Sequence, residues 1–233
     1  MPTNHSGIEV WLPILLQTSD ALFPTGAYAH SLGLEEMVRL GVVSNEKTLE
    51  LFLIEHLVPS LEMQDLPYLR FAMEAAPDLS ELCSLDCEIH AWKIAKETRE
   101  ASIQIGRRRL KALRTISDDP LLAAFEAQIE QGNAFGHHIC VSAIQAVTQQ
   151  FPLTAALGVY AYQSLAGACA AAPKLIRIGQ DGCQRVLTKA VQQLPATLSE
   201  SLPIQRERAG CFSPMLEIAS MRHAYANERL FIS

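Results

Sequence analysis

The sequence of 233 residues has no excess of basic residues and few aromatic ones. It carries 19 Lys and Arg against 25 Asp and Glu, a formal net charge of −6, and aromatic residues make up 6% of it. A nucleic-acid binder normally shows a net basic footprint, so this charge argues against that class. The N-terminus lacks the basic and then apolar order of a signal peptide, and the six Cys are irregularly spaced. We therefore expect a cytoplasmic chain with reduced thiols.

The common catalytic motifs are also missing. The sequence contains no phosphate-binding loop with Gly-Lys-Ser/Thr, no Gly-x-Gly-x-x-Gly, no Gly-x-Ser-x-Gly and no His-Glu-x-x-His. Each of these motifs places a reacting group or a cofactor in a defined way. Their absence favours a protein with no enzymatic activity, no catalytic residues and no cofactor.

One weaker cluster keeps an alternative open. Cys83, Cys87 and His90 stand at i, i+4 and i+7, so they share one face of a helix. Thiolates and an imidazole are suitable ligands for zinc or nickel, but no fourth ligand stands nearby in sequence. The face is either a half-buried helix surface or part of a small metal- or thiol-dependent helical enzyme.

A second group, His137, His138 and Cys140, offers the same two interpretations. Adjacent His side chains point in different directions on a helix, which disfavours a shared metal ion. We therefore assign no metal site to the chain.

The only basic run is GRRRLKALR at residues 106–114. Its simplest interpretation is a solvated helix face, and the alternative is a docking patch for an acidic partner.

Strict alternation of apolar and polar residues is nowhere convincing, whereas helical spacing recurs along the chain. Caps support this pattern: Gly41 ends a helix expected from about Tyr28, Asp119 precedes one, and Ser213 precedes the last. Residues 78–116 are expected to form two helices. We predict an all-α, single-domain bundle of roughly eight to ten helices, with a short C-terminal helical tail.

The longest stretch without a charged residue, Ile139 to Pro173, is about long enough to cross a bilayer. It is rich in Ala and Gly, however, and it contains Gln163. We interpret it as a central helix packed on all sides by other helices, and we expect no membrane partner.

The stretch FPTGAYAH forms a rigid corner before the first clear helix. Pro24 fixes its own φ, and Gly26 permits a φ that other residues avoid. Together they would hold Tyr28, either as an interface anchor or as a core residue. His30 is either a structural residue of the cap or part of a contact surface.

The C-terminal region differs in composition from the rest. Residues 193–213 contain two prolines and the charged QRERAG, which indicates a mobile linker. We divide the chain into a helical body, 1–203, and a tail, 204–233, that is mobile or ordered by a partner. Leu230 and Phe231 either fold back on the body or wait for that partner.

Several segments together resemble the urease accessory protein UreF family. They are FPTGAYAHSLGLE (23–35), KETREASIQIGRRRL (96–110), IGQDGCQRVL (178–187) and MRHAYANERLFIS (221–233), in order and at matching separations. The resemblance implies an all-α, often dimeric protein without activity of its own. It also implies binding to the accessory protein UreD (also called UreH), recruitment of the GTPase UreG, and delivery of Ni²⁺ to apo-urease.

The matching positions imply a set of partner-binding residues. They are Tyr28, His30, Gly179, Gln180, Gln184, His223, Arg229, Leu230 and Ser233. The resemblance implies that Tyr28 contacts UreD/UreH and that the tail orders on binding, with Arg229 supporting recruitment of UreG. Arg177 departs from the family, which usually has Pro at this position.

Overall fold

The computed structural model describes residues 9–26, 30–210, 213–226 and 229–231. Within these ranges the chain forms helices and no strand, which confirms the predicted all-α single domain. The helices are α1 (Trp11–Ser19), α2 (Leu34–Arg39), α3 (Glu46–Phe52), α4 (Val58–Ser60), α5 (Leu66–Ala75), α6 (Leu79–Trp92), α7 (Lys96–Arg114), α8 (Pro120–Glu130), α9 (His138–Thr148), α10 (Leu153–Leu175), α11 (Gln180–Val191), α12 (Leu194–Ser201) and α13 (Pro214–His223). Two π-helical turns, Leu53–Leu57 and Leu61–Asp65, join α3, α4 and α5, and a 3₁₀ turn spans Arg206–Arg208.

The long helix α10 lies at the centre of the bundle. It packs against α2, α5, α9, α11 and α12, and its inner face buries Leu157, Ala161, Leu165 and Ala168 completely or nearly so. Small side chains on this face let neighbouring helices approach closely. The sequence predicts a helix that is packed on all sides, and this is wrong for part of its surface. Tyr162 is exposed, and Gly167 faces open space. No helix in the described ranges is long and apolar enough to cross a membrane.

The helix after the corner begins later than its sequence pattern predicted. Leu32 and Gly33 both have positive φ, at 53° and 83°, so a right-handed helix cannot run through them. The expected start at Tyr28 is therefore wrong, and α2 begins at Leu34. The predicted end is confirmed, since Gly41 follows α2 with a φ of 74°.

The segment that leads to the tail is in contact with the body. Helix α12 occupies part of the expected linker, and Arg206 pairs with Glu81 at 2.6 Å and with Glu88 at 2.5 Å. The Gly210 amide donates to the Met63 carbonyl at 3.0 Å. These contacts bring the start of α13 onto the bundle. A tail that begins at residue 204 as a separate unit stays a prediction.

Candidate partner-binding site

The C-terminal helix α13 lies on α2 and α7, and a histidine at its end joins all three. His223 is buried, and its Nε2 lies 3.0 Å from Oε2 of Glu35 on α2. Its Nδ1 lies 2.7 Å from Oε2 of Glu97 on α7. The two ring nitrogens of His223 thus bridge a carboxylate on α2 and a carboxylate on α7.

The last described residues are fixed by the same two carboxylates. The amides of Leu230 and Phe231 donate to Oε1 and Oε2 of Glu35, at 2.7 and 3.0 Å. Arg229 Nη1 donates to Oε1 of Glu97 at 2.8 Å. Residues at the C-terminal end of the tail are therefore held by main-chain as well as side-chain contacts.

Leu230 and Phe231 have different environments. The Phe231 side chain is packed into the core, 5% exposed, with Lys174 Nζ 5.2 Å from its ring centre. Leu230 is 68% exposed. Of the two interpretations that the sequence leaves open, folding back on the body holds for Phe231. Leu230 is exposed, and its contact with a partner stays a prediction.

A second ionic cluster joins α13 to α2. Glu36 is fully buried and accepts from Arg39 Nε and Nη2, each at 2.6 Å, and from Arg222 Nε at 2.9 Å. The hydrogen bonds from Arg39 and then Arg222 outweigh the effect of burial and lower the pKa of the Glu36 carboxyl. Two adjacent glutamates of one short helix thus hold both the last turn of α13 and the residues after it.

The outward face of α13 is apolar. Met215, Ile218 and Met221 are all exposed, and Tyr225 follows them just beyond the helix. The inward face, with Ala219 and His223, is buried. Large apolar side chains clustered on an exposed helix face are typical of a surface that another protein covers. We call the exposed residues Met215, Ile218, Met221, Tyr225 and Leu230 the tail face.

The Gly179–Gln184 segment forms a second exposed surface, at the start of α11. Gly179, Gln180 and Gln184 are all exposed. Gly179 and Gln180 line an open cavity of about 390 Å³, together with Arg177 and the ion pair of Arg185 with Glu46. Lys174, which contacts Phe231, lies five residues before Gly179 on the chain.

Three other sequence-predicted residues are placed as follows. Tyr28 and Ser233 lie outside the described residues. His30 is buried, and burial, reinforced by the charge of Arg108, lowers its pKa to about 4. His30 thus offers little exposed surface in this structure, and its part in partner binding stays a prediction.

The Cys83–Cys87–His90 face has a structural role. His90 stacks on Phe135, with ring centres 3.5 Å apart, and its Nδ1 lies 3.3 Å from Nε2 of the buried His137. Between them, Asp86 accepts the amides of Phe135, Gly136 and His137 at 2.5–3.0 Å. In the described part of the chain, no three His, Cys, Asp or Glu residues are arranged to hold a metal ion.

The acidic partners of the tail are not among the residues predicted from the sequence. Glu35 and Glu97 both stand inside segments that resemble the family, but nothing in the sequence connects them to His223, which lies 188 and 126 residues away. A signal was present in the charge pattern, because Glu35 and Glu36 open a helix that is otherwise apolar at its start. Only the packing of α13 on α2 and α7 assigns them a partner.

Comparison with known proteins gives consistent matches along the chain. The family model described as UreF matches residues 43–191. Among curated relatives, the urease accessory protein UreF of Arthrobacter sp. (strain FB24) is 32% identical over 94% of this chain and 96% of its own length. Those of Actinobacillus pleuropneumoniae serotype 5b and Haemophilus influenzae (strain PittEE) are 30% and 32% identical, each over 95% of this chain.

Proposed function

Because this chain belongs to the UreF family of urease accessory proteins, we propose that it is a non-catalytic scaffold for nickel incorporation into apo-urease. It acts in the cytoplasm as a homodimer, binds UreD/UreH, and recruits and regulates the GTPase UreG. Nickel is the cargo of the assembly, and its ligands belong mainly to UreG and the target enzyme.

The observation that carries this proposal is the tail face. The inward side of α13 is fixed by Glu35, Glu36 and Glu97, so the outward side is presented in one orientation. Exposed apolar side chains on a rigid helix are typical of a protein-binding surface, because little conformational entropy is lost when they are covered. UreD/UreH is the proposed partner of this face.

Recruitment of UreG follows as a second step. Arg229 is exposed, and its side chain is fixed by an ion pair with Glu97. The Gly179–Gln184 surface begins shortly after the C-terminal end of α10, where Lys174 contacts Phe231. A surface composed of this region and bound UreD/UreH would favour one nucleotide state of UreG. Differential affinity of this kind couples partner binding to nickel release.

The test is copurification of tagged UreD/UreH and UreG with variants of this chain. Ile218→Asp adds a charge to the tail face and is expected to abolish copurification of UreD/UreH. Ile116→Asp is the matched control, since Ile116 is 43% exposed against 50% for Ile218 but lies just beyond the C-terminal end of α7, whereas the tail contacts its N-terminal end. Equal copurification by the two variants would overturn the assignment of the tail face.

Two further variants separate the proposed steps. A truncation after Cys211 removes α13 and the tail and is expected to abolish recruitment of UreG. Undiminished recruitment would refute the role of the tail. Tyr28→Ala is expected to weaken pairing with UreD/UreH, and normal pairing would remove Tyr28 from the interface. Urease activation in cells carrying each variant then links binding to nickel incorporation.

A further inference from the structure

A buried arginine in the centre of the bundle lacks an anionic partner. Arg109 on α7 is 4% exposed, and its Nε and Nη2 donate to the neutral Oε1 of Gln145 at 2.9 and 2.6 Å. Its guanidinium carbon lies 5.6 Å from the ring centre of Phe23. Among the residues that the structure describes, no Asp or Glu pairs with it. The expectation of a fully solvated basic face is therefore wrong at this position.

The neighbouring titratable groups do not supply the missing charge. Burial raises the pKa of the Tyr160 phenol well above its ordinary value, so the phenol stays neutral. Burial and the charge of Arg109 lower the pKa of His138 well below its ordinary value. Arg109 itself keeps its proton at neutral pH, because burial lowers its pKa only to about 10. An unpaired ion in a protein interior costs several kcal/mol.

A small cavity lies beside the guanidinium. It has a volume of about 10 Å³ and is lined by Arg109, Ser142, Gln145 and Tyr160 among others. The Ser142 hydroxyl oxygen is buried and has no hydrogen-bond partner among the described residues. Ser142 and Gln145 stand three positions apart on α9, so they share one side of the helix, and both line this cavity together with Arg109. The cavity thus combines a cation with an unused hydroxyl donor.

We propose that one chloride ion occupies this cavity, bound by the guanidinium of Arg109 and the hydroxyl of Ser142. A cavity this small excludes a carboxylate or a phosphate and leaves a single monatomic anion as the candidate. Chloride supplies the charge that a water molecule would not. The proposal is independent of the partner-binding function, since neither donor lies on the tail face.

The site connects to the N-terminal part of the fold. Nε2 of Gln145 donates to Thr18 Oγ1 at 2.7 Å, near the end of α1. Phe23, the first residue of the corner, lies against the guanidinium. Neutralising Arg109 therefore stabilises the packing of α1 and the start of the corner on α7 and α9.

The direct test is chloride NMR on the purified full chain. Exchange with a bound ion broadens the chloride line, and added bromide reverses that broadening by competition. Thermal unfolding in sodium chloride and in sodium gluconate at equal ionic strength gives a second readout. Chloride at tenfold above its Kd should lower the unfolding equilibrium constant about elevenfold relative to gluconate.

Three variants locate the effect. Arg109→Gln is expected to remove both the broadening and the chloride dependence, and Ser142→Ala to weaken both. Lys111→Gln removes an exposed charge from the same helix and should retain both. If Arg109→Gln does not fold, the wild type and Ser142→Ala still decide the question. Equal unfolding of the wild type in the two salts, or broadening that Ser142→Ala leaves unchanged, would overturn the proposal and assign the cavity to water.

Discussion

The Nε2 of His223 lies 3.0 Å from a carboxylate oxygen of Glu35, and that same carboxylate accepts the main-chain amides of Leu230 and Phe231. One side chain of α2 therefore holds both the last turn of α13 and the residues that follow. The position of the tail therefore depends on this carboxylate as well as on the buried ring of Phe231.

Replacing Glu35 by Gln should release the tail. The Gln side chain keeps the shape of Glu but loses the charge. Its NH₂ group cannot accept a hydrogen bond from His223 or from the amides of Leu230 and Phe231. We expect a loss of about 2–3 kcal/mol in the free energy of unfolding, as for other buried, charge-assisted hydrogen bonds. Hydrogen exchange at Leu230 and Phe231 should accelerate. Glu74→Gln, which removes an exposed pair with Arg70, is the control and should cost less than about 0.5 kcal/mol. Unchanged exchange in Glu35→Gln would contradict the role of Glu35.

The two apolar residues of the tail should respond differently to substitution. Phe231→Ala removes a buried ring and is expected to cost about 3 kcal/mol or more in stability. Leu230→Asp alters an exposed side chain, so stability should stay within about 0.5 kcal/mol of the wild type. Urea unfolding measures both values. If Leu230→Asp retained wild-type affinity for purified UreD/UreH, Leu230 would not belong to the tail face.

Much of the fold could be predicted from local signals. The cap at Asp119, whose carboxylate accepts the Leu121 amide at 2.8 Å, stands where the sequence places it. So do the left-handed Gly41 and the first turn of α13 at Ser213 and Pro214. Each signal acts within a few residues, through a missing amide, a short polar side chain or an absent Cβ, so the sequence alone is sufficient.

The contacts of the site could not be predicted in the same way. Nothing local connects Glu35 to His223, and the left-handed Leu32 that delays α2 has no sequence signature. Arg109 stands in a run of basic residues that appeared solvated, yet its helix turns it inward against Gln145. Such features depend on which helix faces pack together, which is a property of the whole fold.

Acid should destabilise the protein through His137. Burial, aided by the charge of Lys93, lowers its pKa to about 3, against an ordinary value of about 6.5 in the unfolded chain. Above about pH 6.5 both states are neutral and the contribution is constant. As the pH falls from there towards 3, only the unfolded state takes up the proton, so stability falls by about 1.4 kcal/mol per pH unit for this group.

Urea unfolding between about pH 7.5 and about pH 4.5 measures this slope. His137→Gln keeps a hydrogen-bonding side chain near Ser102, whose Oγ lies 3.0 Å from Nδ1 of His137. Below about pH 6.5, the free energy of unfolding of the variant should depend on pH less steeply than that of the wild type, by the contribution of one proton. Above about pH 6.5 the two slopes should match. An identical slope in both proteins at every pH would show that His137 does not resist protonation in the folded state.

Replacement by Ala should have opposite effects on stability at two glycines that lie inside helices. Gly106 on α7 faces main-chain atoms of the segment before α9, and an added Cβ would lie 2.7 Å from the carbonyl carbon of His137 and from the amide nitrogen of His138. Backbone cannot yield as the end of a side chain can, so Gly106→Ala should cost about 3 kcal/mol. A Cβ at Gly167 on α10 meets no atom within 4 Å, and Gly167→Ala should add about 0.5–1 kcal/mol through helix propensity. Urea unfolding of both variants gives the comparison. If Gly106→Ala stabilised the protein, α7 could not approach the start of α9 so closely. If Gly167→Ala destabilised it, the surface at Gly167 would be covered, for example by a second copy of the chain.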